Sequence, residues 1–237
     1  SVKYEDISTG FKYVYNSKET YYAASTIKLL DALYIYNNAA LNELDLDETL
    51  EYTSNDVNSN SKGMNKHNIG DEISLRELVK YAIIYSDNSA HQMLIRYIGF
   101  NTLKSYGNSL GATLTLTGGD NFGSINVSDA SIYLKAIYQF IEKNETLGKE
   151  LKEYLVEAEV NGIKYPDLNV DVAHKYGYYD YIYNDLGIVY DDNPYIIAIL
   201  TYHGNDNYIE ITNDISKKIN DLHHEFYSNR ESICKKN

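Results

Sequence analysis

The sequence predicts an α+β domain (an α/β sandwich). In it, an antiparallel sheet formed from both chain termini is flanked by helices, and an all-helical part is inserted between the two ends. Segments rich in aromatic and β-branched residues lie at both ends of the chain, and apolar residues at helical spacing fill the middle. The 237 residues, 43% hydrophobic and 23% charged, suffice for a sizeable core. We expect one domain over residues 1–237, with a sheet subdomain (1–35 and about 170–237) and a helical subdomain (about 36–169).

The first elements are a hairpin and a helix. Val2–Asp6 and Phe11–Tyr15 flank Ser8-Thr9-Gly10, which is typical of a β-hairpin. From Tyr22 to about Ala40, apolar residues recur at steps of three and four without Gly or Pro, which predicts a helix. Thr53–Gly70, rich in Asn, Ser and Gly, is expected to be a loop.

The middle of the chain is predicted to be helical. Ser74-Leu-Arg-Glu77 has the spacing of a capping box, and the apolar residues that follow it share one helical face. Further helices are expected over Ala90–Ile98, from a cap at Ser128, and over Leu147–Ala158.

The last part of the chain returns to strands. His174–Tyr183, Leu186–Tyr190 and Tyr195–Tyr202 have strand composition, with a turn at Asp191-Asp192-Asn193-Pro194. A terminal helix from about Tyr208 to Tyr227 is expected to close the domain.

Charge and composition exclude several partners. The 34 acidic against 21 basic residues give a net charge of −13, which argues against nucleic acid and anionic membrane surfaces. The aliphatic run Ile196–Leu200 is far shorter than the roughly 20 residues of a membrane span, so no membrane anchor is visible in the sequence. The single cysteine, Cys234, excludes an intrachain disulfide, and the histidines, including the adjacent His223 and His224, show no metal-ligand spacing. We therefore predict neither metal nor cofactor.

Ser25-Thr-Ile-Lys28 is the first candidate for chemistry. The spacing of three places both side chains on one face at a helix start, where backbone N–H groups favour an oxyanion. A desolvated lysine beside a serine can act as its base. Ser59–Lys62 and Ser232–Lys235 have the same spacing but lie in polar surroundings, and a helix cap with a solvated lysine is the alternative for any of the three.

Two further motifs strengthen the case for Ser25. Ser86-Asp87-Asn88 lies between two helical segments and occurs once; alone, it is equally typical of a helix N-cap. Lys175-Tyr176-Gly177 opens the first C-terminal strand, and alone it is an ordinary strand start. Their order along the chain, on helix, loop and strand, is hard to produce by chance.

The three motifs together resemble those of the penicillin-recognising serine hydrolases, and specifically the class A β-lactamases, whose motifs are S-x-x-K, S-D-N and K-T/S-G. The resemblance extends over nearly the whole chain and implies the β-lactamase/transpeptidase-like fold. It also implies an extracytoplasmic location, secreted or at the cell surface, with any leader outside the given sequence.

The resemblance implies four catalytic residues. Ser25 is the nucleophile, Lys28 accepts its proton, Ser86 relays a proton to the leaving nitrogen, and Lys175 supplies positive potential for Ser86 and for a substrate carboxylate.

It also implies a substrate-binding set. Asn88 hydrogen-bonds a substrate amide, Tyr176, Gly177 and Tyr178 line the site, and the backbone N–H groups of Ser25 and Tyr178 form an oxyanion hole.

Two departures from the family pattern are visible. Tyr176 stands where the family has Thr or Ser, and the only arginines are Arg76, Arg96 and Arg230, so carboxylate recognition rests mainly on Lys175. His174 could assist Lys175, but the better interpretation is that it does not, since adjacent side chains on a strand point to opposite faces of the sheet.

The second departure concerns deacylation. Class A enzymes activate the deacylating water with a Glu in E-x-x-L-N, yet no Glu occurs between Glu77 and Glu142. Asp120 is the one candidate substitute, and a Gly-Gly-Asp-Asn turn is its other interpretation.

The predicted function is therefore a serine hydrolase that forms an acyl-enzyme with β-lactams or with peptidoglycan stem peptides ending in D-Ala-D-Ala, with slow deacylation. Within this group it is either a β-lactamase or a D,D-peptidase. The alternatives are a penicillin-binding sensor that stays acylated and a serine-dependent glutaminase-like amidohydrolase.

Overall fold

The computed structural model describes residues 1–203 and 207–234, with side chains described up to residue 230. Its centre is a five-stranded antiparallel sheet in the order β2-β1-β9-β8-β7. The strands, with two short two-stranded pairs, are β1 (Val2–Asp6), β2 (Lys12–Tyr15), β3 (Tyr21–Tyr22), β4 (Thr49–Glu51), β5 (Glu72–Ser74), β6 (Ser124–Ile125), β7 (Val172–Tyr179), β8 (Ile182–Val189) and β9 (Tyr195–Tyr202).

Seven α-helices accompany the strands in the described residues. They are α1 (Lys28–Ala40), α2 (Leu75–Ile84), α3 (Asn88–Ile98), α4 (Phe100–Ser109), α5 (Val127–Lys143), α6 (Glu145–Val156) and α7 (Tyr208–Cys234). Short 3₁₀ turns lie at Ala24–Ile27, Ser54–Asp56 and Met64–Lys66. The predicted fold class, with a sheet from both termini around a helical insertion, is confirmed.

The two ends of the chain meet in the sheet. β9 pairs antiparallel with β1 on one side, Val2 opposite Ile199, and with β8 on the other. The N-terminal ammonium also donates to the carbonyl of Leu200 at 2.7 Å. The first and last strands of the sheet therefore form one unit.

Strand β9, in the middle of the sheet, is buried on both of its faces. Ile196, Ala198 and Leu200 belong to the larger core, which packs against the helical part. Tyr195, Ile197 and Ile199 point the other way, to a smaller core against α7. Alternate side chains of a strand face opposite sides, so an apolar run of this kind suits a strand covered on both faces.

Side chains before the helices set where they begin. Ser74 accepts the backbone N–H of Glu77 at 3.2 Å and caps α2, as predicted. The predicted cap at Ser128 is wrong. α5 begins at Val127, because Asn126 Oδ1 accepts the N–H groups of both Ser128 and Asp129.

Other boundaries differ modestly from the predictions. A 3₁₀ turn precedes α1 where one continuous helix was expected from Tyr22, and α7 runs on to Cys234. α4 and the short strands were not predicted. The subdomain boundaries near residues 36 and 169 stay a prediction. No helix in the described ranges is both long and apolar enough to cross a membrane.

Candidate active site

Ser25 lies in the 3₁₀ turn that leads directly into α1. The residue before it, Ala24, has φ +49°, a left-handed conformation that non-glycine residues adopt at a cost. Thr26 anchors the turn by donating both its N–H and its hydroxyl to the carbonyl of Ala23, at 3.2 and 2.7 Å. The turn thus holds Ser25 in a fixed, strained position.

Lys28, one turn further on, has a side chain with no solvent exposure. Its Nζ donates to Ser25 Oγ at 2.9 Å, to the carbonyl of Ser86 at 2.6 Å and to Asn88 Oδ1 at 2.6 Å. Burial lowers the pKa of Lys28 to about 7, although the nearby carboxylates of Asp31 and Asp87 favour the charged form. A neutral amine in contact with a serine hydroxyl is therefore accessible near neutral pH.

In the segment Ser86–Asn88, Asp87 caps a helix, while Ser86 and Asn88 contact Lys28. Asp87 caps α3 by accepting the N–H of Ala90 at 2.9 Å, as the structural interpretation of this motif expects. Ser86 has φ +55°, and this conformation accompanies its contact with Lys28. Asn88 contributes one end of its amide to Lys28, while Nδ2 donates to the carbonyl of Ser59 at 3.0 Å.

Lys175, on β7, has a fully buried side chain. Its Nζ donates to Ser86 Oγ at 2.8 Å and to the carbonyl of Tyr176 at 2.9 Å. Burial, followed by repulsion from Lys28, lowers the pKa of Lys175 well below its usual value. The two lysines thus contact the two serines from inside the protein, Lys28 at Ser25 and Lys175 at Ser86.

Gly177 allows β7 to lie directly against the turn of Ser25. A Cβ at this position would be 2.8 Å from the carbonyl oxygen of Ala23 and 3.1 Å from the backbone nitrogen of Ser25. Any side chain would push the two backbones apart. The neighbouring residue Tyr178 is half exposed, and its ring packs against Tyr208 with centroids 5.2 Å apart. The oxyanion hole at the N–H groups of Ser25 and Tyr178 stays a prediction.

Tyr176 turns its ring toward the interior of the site. The ring stacks on that of Tyr183 at 6.4 Å, and Lys175 Nζ lies 4.2 Å from its centroid. Burial raises the pKa of the Tyr176 phenol, and the nearby Ser86 side chain opposes the shift. The Tyr176 ring therefore lies beside the Lys175 amine, where the family pattern has the short side chain of Thr or Ser.

These residues border a cavity of about 750 Å³. Its lining is polar and combines the predicted site with the loop before α2: Ser25, Asn58, Ser59, Asn60, Ser61, Lys62, Asn65, Tyr85, Ser86, Asn88, Tyr176 and Tyr178. Lys28 and Lys175 lie behind this lining. The structure thus brings together all four predicted catalytic residues, which are widely separated in the sequence.

The loop before α2 forms one wall of the cavity, and its residues were not predicted to take part in the site. We call this part of the lining the loop wall. Their signal in the sequence was only the Asn- and Ser-rich composition of Thr53–Gly70. The competing serine Ser59 lies there, exposed, and its lysine, Lys62, pairs with Glu159 instead. Lys235 of the third S-x-x-K match, and the side chain of Ser232, lie outside the residues described.

Asp120 lies in a turn, as expected if Gly-Gly-Asp-Asn is a turn sequence and Asp120 is not a catalytic base. Its Oδ1 accepts the N–H groups of Phe122 and Gly123 at 2.8 and 2.7 Å, and it does not line the cavity. From the same loop, the Phe122 ring centroid lies 5.8 Å from Lys28 Nζ. An apolar ring thus lies beside the proposed base.

His91 holds this loop in place. Its ring lies between the Asp31 carboxylate, 2.5 Å from Nδ1, and the carbonyl of Asn121, 3.0 Å from Nε2. It also contacts the Phe122 ring, with centroids 5.0 Å apart. Nothing in the sequence around His91 or Asp31 indicates that the two side chains form a buried pair.

His174 is not part of the site. Its Nδ1 lies 2.9 Å from Asp185 Oδ1, and Asp185 in turn accepts the N–H groups of Gly162 and Ile163. The prediction that His174 points away from Lys175 is thus confirmed. In the described part of the chain, no cluster of three or more His, Cys, Asp or Glu side chains could hold a metal ion.

The amino-acid sequence is similar to those of beta-lactamases. A model of the beta-lactamase enzyme family matches residues 1–222. The beta-lactamase ROB-1 of Haemophilus influenzae is 33% identical over 94 residues, and a beta-lactamase of Amycolatopsis lactamdurans is 28% identical over 94 residues. Each match covers 40% of this chain and 30% of the length of the relative.

Solved structures show the same fold. A beta-lactamase from Chitinophaga pinensis superposes with a TM-score of 0.80 at 19% identity, covering 92% of this chain and 93% of that chain. A mutant of PBP-A in an acyl-enzyme complex with penicillin G gives a TM-score of 0.78 at 16% identity, covering 93% and 89%. The family model spans nearly all of the chain and the fold agrees with it, so the protein belongs to the beta-lactamase enzyme family.

Proposed function

We propose that this protein is a class A β-lactamase-like serine hydrolase that forms an acyl-enzyme on Ser25 and releases it slowly. Its ligands are β-lactams or stem peptides ending in D-Ala-D-Ala. The observation that carries the proposal is the buried Lys28 amine, 2.9 Å from Ser25 Oγ, with a pKa lowered to about 7. A lysine in this state can accept the proton of the attacking hydroxyl.

Acylation uses the two serine–lysine pairs in turn. Ser25 Oγ attacks the carbonyl carbon of the lactam or peptide while neutral Lys28 takes its proton. The C–N bond then breaks, an ester forms at Ser25, and the leaving nitrogen receives a proton from Ser86. Ser86 recovers a proton from Lys175 Nζ, 2.8 Å from its hydroxyl. The proton that Lys28 accepted from Ser25 is released to solvent, and Lys175 takes one up from solvent, so both lysines return to their starting states. Backbone N–H groups at Ser25 and Tyr178 would stabilise the oxyanion.

Deacylation needs a water molecule activated close to the ester, and the described residues of the site offer no carboxylate that could act as the base for it. Of the described residues that line the cavity, none is Asp or Glu. Asp120 is engaged in its own turn, and Phe122 occupies the space near Lys28. Loss of a positioned base typically costs about 10²–10⁴ in rate, or roughly 3–5 kcal/mol of barrier. This favours a penicillin-binding or D,D-peptidase type over a fast β-lactamase.

The test is intact-protein mass spectrometry after mixing with benzylpenicillin. We expect a one-to-one adduct that persists for minutes or longer, that is absent in Ser25→Ala and that is retained in Ser59→Ala, which carries the competing S-x-x-K serine. Labelling of Ser25→Ala would refute the assignment of the nucleophile. Rapid turnover without an adduct would refute slow deacylation, whereas an adduct that never decays would favour the sensor.

The glutaminase-like alternative is tested by the same preparation. Glutamine hydrolysis without any β-lactam adduct would support it. We further propose an extracytoplasmic location, because peptidoglycan peptides and most β-lactams are encountered there.

A further inference from the structure

The ligands of the proposed function share one chemical feature. In a penicillin, and in a peptide ending in D-Ala-D-Ala, a carboxylate is carried by the carbon bonded to the leaving nitrogen. That nitrogen must face Ser86, which protonates it. The carboxylate therefore enters the cavity on the side of Ser86, which lines the cavity together with Tyr85 and Tyr176.

Lys175 can supply positive potential to this carboxylate, but both buried lysines are largely engaged in other hydrogen bonds. Lys28 already donates to three acceptors and Lys175 to two, and neither side chain is exposed to solvent. Burial also lowers the pKa of both amines, which reduces their average positive charge.

One exposed cation does line the cavity. Lys62 lies in the loop wall, with its side chain 65% exposed, and its ammonium pairs with the carboxylate of Glu159. Its Nζ is 5.4 Å from the centroid of the Tyr85 ring, which also lines the cavity. Tyr85 directly precedes Ser86 in the chain. The ion pair thus lies at the end of the cavity where the carboxylate enters.

We propose that Lys62 binds the substrate carboxylate, and that Glu159 occupies this subsite until the substrate displaces it. This inference rests on the proposed function. An exposed ion pair contributes little net free energy, so exchange of one carboxylate for another is inexpensive. Glu159 is fixed by its backbone N–H, which donates to the carbonyl of Ile84 at 3.2 Å, so its side chain stays nearby when displaced.

The test compares benzylpenicillin with its uncharged methyl ester in timed acylation experiments. We expect Lys62→Gln to slow acylation by benzylpenicillin about tenfold, because the variant loses a charge-assisted hydrogen bond to the carboxylate. Acylation by the methyl ester, which has no such charge, should slow by less than about twofold. Glu159→Gln should accelerate acylation by benzylpenicillin a few fold, because it removes the competing anion, and should leave the ester unaffected.

Lys66→Gln is the matched control. Lys66 lies on the same loop, is 62% exposed, pairs with Glu77 at 3.8 Å and lies 4.9 Å from a tyrosine ring, but it does not line the cavity. It should leave both rates unchanged. An equal effect of Lys62→Gln on both ligands, or a slower Glu159→Gln variant, would overturn the inference while leaving the nucleophile intact. Absence of any adduct on wild-type Ser25 would overturn the proposed function, and the inference with it.

Discussion

At the residue scale, the decisive property of Lys28 is that its amine loses a proton near neutral pH. Because burial lowers its pKa to about 7, Lys28 is protonated below that pH and cannot accept the Ser25 proton. Acylation should therefore rise about tenfold per pH unit below pH 7 and level off above it. The measurement is the pseudo-first-order rate of adduct formation between pH 5 and 9.

Lys28→Ala is the companion variant. It should slow acylation by about 10²–10⁴-fold and remove the inflection near pH 7. The far-ultraviolet circular dichroism spectrum should be unchanged, since Lys28 is replaced by a good helix former. A flat pH profile in the unmodified protein would show that another group is the base.

Several residues of the candidate site could be predicted from the sequence, and others could not. Ser25, Lys28, Ser86 and Lys175 belong to motifs whose spacing carries information, and the structure places them in contact. Lys62 and Glu159 are 97 positions apart, and nothing in either neighbourhood indicates that the two loops meet.

The loop residue Phe122 shows the same limit. The sequence revealed that a glutamate was missing, but the position of the aromatic ring near Lys28 depends on how His91 anchors the loop. Such placement is set by tertiary packing and not by local pattern.

At the scale of the element, Asp87 connects the stability of α3 with the geometry of the site. Besides capping Ala90, its Oδ2 accepts the buried N–H of Met64 at 2.9 Å. Asp87→Ala leaves both donors without a partner, so we expect a loss of about 2–4 kcal/mol in the free energy of unfolding. Acylation should fall too, because Ser86 and Asn88 flank the cap.

Asn126→Ala is the control for this prediction. Asn126 caps α5 through two N–H groups and does not line the cavity, so its loss should cost about 1–2 kcal/mol and leave acylation unchanged. Urea unfolding and timed labelling measure the two effects. Equal acylation by both variants would show that the cap and the site are independent.

Element prediction succeeded where apolar residues recur over several turns or along a whole strand. α2, with its capping serine and continuous apolar face, and β9, with its run of isoleucines, are examples. α4 lacks such a face, since only Leu103 and Gly107 are buried in it, and the paired strands β3 and β6 have two residues each. Segments this short or this polar take their structure from their neighbours.

At the scale of the whole molecule, the site is formed by three segments that lie far apart in the sequence. Ser25 follows the N-terminal hairpin, Ser86 lies between helices of the insertion, and Lys175 is on an edge strand of the sheet. Gly177 allows β7 to lie directly against the turn of Ser25. The geometry of the serine–lysine pairs therefore depends on the assembly of sheet and helical part together.

The position of β9 between β1 and β8 has a consequence for how the protein folds. The hairpin of β1 and β2 can form early from local contacts, but β1 gains its second partner only when residues near the other end of the chain arrive. Long-range pairing of this kind slows folding, because the entropy of closing a long loop is lost before the stabilising contacts form.

We expect acylation competence to return in the slowest refolding phase after dilution from urea, later than the far-ultraviolet signal. Pulses of β-lactam at successive refolding times would measure it, and labelling that precedes sheet completion would contradict it. On the ribosome, the same order means that Ser25 is synthesised early but that its site is complete only after β9 has emerged.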